Sequence, residues 1–72
     1  MKKYPNVIVT FLSGGITRIK LNDPSSYNAL SAKTIKSLSD ILKNLQNDDK
    51  TKVLIIEGSG KGFSAGHDLK EI

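Results

Sequence analysis

The sequence predicts an α/β fold: a β-hairpin, a helix, and a buried strand that feeds a glycine-rich turn. Three observations carry that expectation. β-Branched and aromatic residues gather in VIVTFL at 7–12, and apolar and polar residues alternate in ITRIKLND at 16–23. Between Ile35 and Leu45 apolar residues recur at spacings of three and four. KVLIIEG at 52–58 is a compact apolar run closed by glycine. These are the patterns of a half-exposed strand, an amphipathic helix, and a strand of the type covered on both faces.

In order along the chain, Val7, Ile8, Val9 and Thr10 followed by Phe11 form the first strand, because branched and aromatic side chains fit a pleated surface. Ser13, Gly14 and Gly15 turn the chain, since glycine takes positive φ without steric cost and closes a hairpin. The returning strand places Thr17, Ile19 and Leu21 on one face and Arg18 and Lys20 on the other. NDPSSYNALS at 22–31 is a loop, and Pro24 keeps Asp23 out of helical conformation. Ser31 is a good N-cap for a helix running to about Asn47. Its periodicity buries Ile35, Leu38, Leu42 and Leu45, with Ile41 beside them, and leaves Lys36, Asp40, Lys43 and Asn44 in water. A strand, a helix and another strand in succession imply a right-handed crossover, so the third strand is expected parallel to one of the first two. A further helix is expected to start within GHDLKEI.

Composition bounds the function. The 72 residues suffice for one domain at most, near the size where stability is marginal. With no cysteine and a single histidine, disulfides and thiolate metal sites are excluded, and His67 cannot make a zinc site alone. The net charge of +4 is spread along the chain without a basic cluster or interleaved aromatics, which argues against a nucleic-acid surface but favours phosphate-bearing small molecules. The apolar stretch after the N-terminal lysines is short and broken by Thr10, unlike a secretory signal, and no run approaches the roughly 18 apolar residues of a membrane span. A soluble protein of the bacterial cytosol, or of an organelle such as the mitochondrion after loss of a presequence, is expected.

The candidate site is EGSGKGFSAGHDLKEI at 57–72, a glycine-rich turn after a buried strand. A P-loop needs a glycine five positions before Gly60 and a hydroxyl residue after Lys61, and the chain has Ile55 and Gly62 there. His67 and Glu71 could share a helix face, but Asp68 would point away, so no metal is assigned. An oxyanion hole is the third chemistry: small residues around Gly66 admit a ligand close to the backbone, and a helix start offers free N–H groups. A plain strand-to-helix connector fits the residues equally well.

FSAGHDLKEI at 63–72, preceded by SYNALS at 26–31, resembles the enoyl-CoA hydratase/isomerase (crotonase) family, with the right helix and strand in between. The GHDLKE variant is similar to that of the enoyl-CoA hydratase domain-containing proteins. The resemblance runs from about Ile16 onward and implies that residues 1–72 form the N-terminal part of a crotonase-like domain. It implies that the backbone N–H of His67 donates to an oxyanion hole. It further implies that Tyr27, Ala29, Leu30, Ala65, Gly66, Asp68, Leu69 and Lys70 line the site of an acyl-CoA, with Lys70 able to steer phosphates. Coenzyme A enters as part of the substrate, and no bound cofactor, nucleic acid or membrane is implied. The implied chemistry is polarisation of a thioester carbonyl, as in the hydratases and isomerases of fatty-acid metabolism.

In that family the second oxyanion donor and the acid/base glutamates lie beyond residue 72. The 72-residue chain is therefore expected to be inactive alone, either as the N-terminal piece of an enzyme completed by a longer chain or a complementing C-terminal polypeptide, or as a non-enzymatic truncated remnant or small interaction module. Alone, the KVLIIEG strand is expected to keep an uncovered face or edge and to favour self-association.

Overall fold

The computed structural model describes residues 1–64 and 66. Four strands form one sheet in the order β1 (Lys2–Tyr4), β2 (Val7–Leu12), β3 (Ile16–Leu21) and β4 (Val53–Gly58), with the helix α1 (Ala32–Gln46) crossing between β3 and β4. β1, β2 and β3 pair antiparallel, and β4 runs parallel to β3 from Ile16↔Val53 to Leu21↔Gly58. The hairpin, the helix and the parallel strand thus follow the sequence expectation; the second helix falls outside the described residues. β1 was not expected. It is turned back onto β2 by Pro5 and Asn6, with Asn6 at φ 61°, a conformation asparagine tolerates better than most residues.

The core lies between α1 and one face of the sheet. Val7, Val9, Ile19, Leu21 and Ile41 are its buried apolar residues, with Tyr4, Leu38 and Leu45 packed against them. Thr17, Ile19 and Leu21 are all buried on the expected face of β3. Ser31 caps α1 by accepting from the Thr34 N–H at 3.2 Å, which satisfies one of the four donors a helix start leaves free.

The buried stripe of α1 differs from the expected one. Thr34, Ser37 and Ile41 face the sheet, whereas Ile35 and Leu42 are each 45% exposed. Hydrogen bonding decides the rotation. The Ser37 hydroxyl donates to the Pro5 carbonyl at 2.7 Å, and the Asn6 amide donates to Thr34 Oγ1 at 3.2 Å. Two small hydroxyl residues bring the helix close to the β1–β2 turn, and a count of apolar residues cannot register them. Asn44 Nδ2 donates to the Tyr4 hydroxyl on the same side. The flank carrying Ile35 and Leu42 is therefore turned toward the β4 side of the sheet, and both residues stay exposed. Leu54 and Ile56 share the helix side of the sheet with Thr17 and Ile19 by register, yet remain 39% and 48% exposed. Val53 and Ile55 on the other side are 51% and 39% exposed. The apolar run that reads as a doubly covered strand is covered on neither face, in line with the expectation for this chain alone.

Among the described residues, no helix is long and apolar enough to cross a membrane.

Candidate functional site

β3 and β4 are parallel, so both end at the same rim of the sheet. The loop that follows β3 and the loop that follows β4 meet there. In open α/β sheets this rim, outside the carboxyl ends of the strands, is where ligands bind.

The 23–30 loop begins with a 3-10 turn at Pro24–Ser26, closed by the Tyr27 N–H donating to the Pro24 carbonyl. Two consecutive residues then take left-handed conformations, Tyr27 at φ 54° and Asn28 at φ 55°. Such a conformation is ordinary for asparagine and strained for a bulky aromatic residue. Asn28 is 1% exposed, while Tyr27 projects its ring at 57% exposure. Ala29 and Leu30 are half-buried. Leu30 donates its N–H to the Gly66 carbonyl at 2.6 Å.

The 59–66 loop is folded back on the end of β4. A Cβ at Gly58 would fall on the Phe63 carbonyl and within 2.9 Å of the Gly62 carbonyl, so only glycine leaves room for the return. Gly66 takes φ 90° with open space where a Cβ would stand; its conformation, and not crowding, calls for glycine. The Gly66 N–H donates to Ser64 Oγ at 3.0 Å, and the Ser64 hydroxyl donates to the Asn28 carbonyl at 2.8 Å.

The structure therefore brings Leu30 and Gly66 together, with Ala29 beside them and Tyr27 at the outer rim. Ala65, His67, Asp68, Leu69 and Lys70, the other expected site residues, lie outside the described residues. Sequence reasoning passed over Asn28 and Ser64, which hold the two loops to each other. The available signal was an asparagine between residues of a turn-rich loop, the type that tolerates left-handed backbone and bonds it locally.

Asp23 places a carboxylate on the loop after β3, and the Ser25 and Ser26 hydroxyls donate to it. The described residues include no cluster of three or more metal-ligating side chains. A hollow of about 480 Å³ lies at the opposite end of the sheet, between the β2–β3 turn and the α1–β4 connection. It is apolar apart from Asp48, Lys50 and Thr51. The Asp48 carboxylate there is already engaged by the Thr51 hydroxyl and the Lys50 N–H, in that order the main causes that hold it below its ordinary pKa.

A model of the enoyl-CoA hydratase/isomerase family matches residues 12–72, from the end of β2 through both loops. The chain belongs to this family. It is similar to enoyl-CoA hydratase domain-containing protein 3, mitochondrial, from Rattus norvegicus, at 46% identity over 69 residues that cover 94% of this chain and 23% of that protein. The Homo sapiens protein of the same name is 51% identical over 59 residues, covering 81% of this chain and 19% of that one. Among solved structures, an enoyl-CoA hydratase from Bacillus anthracis superposes with a TM-score of 0.86 at 36% identity, covering 92% of this chain and 26% of its own. One from Mycobacterium smegmatis reaches 0.90 at 34% identity, covering 94% and 26%. The fold is the crotonase fold in this portion, and the chain spans about a quarter of the length of the relatives it matches.

Proposed function

We propose that the 27–30 loop and the 59–66 glycine loop form one wall of an acyl-CoA site, in which the His67 N–H polarises the thioester carbonyl as half of an oxyanion hole. The observation that carries this reading is the 2.6 Å bond from the Leu30 N–H to the Gly66 carbonyl. It joins the two motif segments at the rim where parallel strands end. A planar trans peptide aims its N–H opposite to its carbonyl. The proposed donor shares a peptide unit with the Gly66 carbonyl, so spending that carbonyl inward on Leu30 is the arrangement an outward donor requires. Preorganised donors of this kind stabilise developing negative charge, and loss of one costs about 2.7–4 kcal/mol of transition-state stabilisation.

Tyr27 at the rim and Ala29 beside it would contact the pantetheine or adenine of the substrate, together with Ala65, Asp68 and Leu69, and Lys70 would attract its phosphates. Within this reading, the second oxyanion donor and the acid and base come from a longer chain or a separate polypeptide, and the 72 residues alone bind without turning over. The uncovered face and edge of β4 favour such a partner, and also favour self-association in its absence. The name of the relatives agrees with the mitochondrial alternative among the expected compartments.

Titration of the full chain with coenzyme A and with acetyl-CoA, followed by amide shifts, tests the proposal. Shifts confined to 27–30 and 64–69 support it, and a spectrum unchanged at millimolar ligand overturns it. Turnover of a short trans-2-enoyl-CoA by the chain alone, lost on Gly66→Pro, would overturn the expected inactivity.

A further inference from the structure

We infer that Asn28 is the positioning residue of this site: its buried carboxamide sets how the glycine loop at 59–66 sits against the 27–30 loop. The inference rests on the acyl-CoA reading for its functional meaning and on the geometry of Asn28 for its mechanism.

Every polar atom of Asn28 is engaged. Its backbone N–H donates to the Asp23 carbonyl at 2.8 Å, and its Oδ1 accepts from the Asp23 N–H at 2.7 Å. Its backbone carbonyl accepts from the Ser64 hydroxyl at 2.8 Å. Its Nδ2 faces three carbonyls of the glycine loop, Ser59 at 2.8 Å, Phe63 at 3.1 Å and Gly62 at 3.2 Å. One side chain, 1% exposed, therefore binds its own loop with its oxygen and the opposite loop with its nitrogen. Two N–H bonds shared among three inward-turned carbonyls define where that loop can lie, because the buried Asn28 amide would be costly to leave without acceptors. In each planar peptide an inward carbonyl also turns the next N–H outward, so Asn28 orients the loop backbone toward the rim.

The strain at this place agrees with a positioning role. Consecutive left-handed residues, one of them tyrosine, persist only where the surroundings over-determine them. The bonds of Asn28 are what over-determines them here. Aspartate would keep the volume and the acceptor for the Asp23 N–H but place a charge against three carbonyls. Alanine would remove both ends. Neither reproduces the carboxamide, which carries two N–H donors and an acceptor oxygen on one short arm.

The test compares Asn28→Ala, Asn28→Asp and Ile41→Val in the full chain. Ile41→Val serves as a core variant that lowers stability without touching the rim. Hydrogen exchange at the Leu30 amide and the dissociation constant for acetyl-CoA are the two readouts. Asn28→Ala is expected to speed Leu30 exchange at least tenfold while the amides of Val9 and Ile19 keep their protection, and to weaken acetyl-CoA binding at least tenfold. Ile41→Val is expected to leave binding within twofold. Unchanged exchange at Leu30, or equal loss of binding in Ile41→Val at equal loss of stability, overturns the inference. Should Asn28→Ala not fold, Asn28→Asp is read by the same two measures against the same criteria. If the unsubstituted chain binds neither acetyl-CoA nor coenzyme A, the acyl-CoA reading fails, and exchange at Leu30 still decides the role of Asn28.

Discussion

At one edge of the sheet β1 is three residues long, carries Lys2 and Lys3, and ends at Pro5. At the other, β4 runs six residues through Val53, Leu54, Ile55 and Ile56, each at least 39% exposed. Short length, lysine and proline are the devices by which proteins keep an edge from pairing with another chain. β4 has none of them along its apolar stretch. The helix follows the same division, since its docked flank bonds to the β1–β2 turn and its bare flank, with Ile35 and Leu42, is turned toward β4. One side of this small sheet is finished, and the other leaves its apolar residues exposed.

The contrast makes unequal demands on substitution, and the largest effect belongs to the finished side. Ile19 is fully buried, so Ile19→Ala is expected to cost about 2–5 kcal/mol. At about 0.05–0.15 kcal/mol of stability per residue, that is a large share of what a chain of this size has, and circular dichroism melting should show a markedly lowered midpoint. Ile55→Ala on the bare side should cost about 1 kcal/mol or less. Equal costs at the two positions would break the comparison.

A charge at the bare edge sharpens it. Ile55→Glu places a carboxylate beside Arg18, its register partner, and should change stability by no more than about 0.5 kcal/mol. Sedimentation should become less concentration-dependent, because a charged edge resists pairing. A melting point lowered as far as in Ile19→Ala would mean that β4 is covered in solution.

The rim between the two sides responds more subtly. Tyr27→Asn exchanges a strained aromatic for a residue that accepts φ 54°, with an expected gain of about 1 kcal/mol. It should at the same time weaken acetyl-CoA binding by removing the exposed ring. A stability gain with unchanged binding would take Tyr27 out of the proposed wall.

The smallest effect concerns acid. Asp48 has its pKa lowered from 3.8, first by the Thr51 hydroxyl and then by the Lys50 N–H. The folded chain thus takes up this proton less readily than the unfolded one. Its contribution is present above pH 3.8 and fades as pH falls through the lowered value. Asp48→Asn should remove only that part of the acid-induced loss, seen as a slightly shallower fall of melting temperature below pH 4.

Much of this was legible from residue order. The alternation of Thr17, Ile19 and Leu21, the Ser31 cap and the closing Gly58 placed two strands, the helix start and the parallel partner, because period and capping are local properties. The NAL and AGHDLKE segments marked which loops to watch. The rotation of α1 was not legible, since it rests on the hydroxyls of Thr34 and Ser37 finding partners in a turn some 28 to 32 residues away. Nor was the role of Asn28, whose amide meets Ser59, Gly62 and Phe63 across 31 to 35 residues of chain.

The sequence by itself determined which segments become strands and helix, and which two short motifs belong to one family. Only the tertiary structure decided which side of the sheet is closed and which residue joins the two motif loops. Apolar periodicity is written along the chain. The partner of a buried hydrogen-bonding group exists only once distant segments have met.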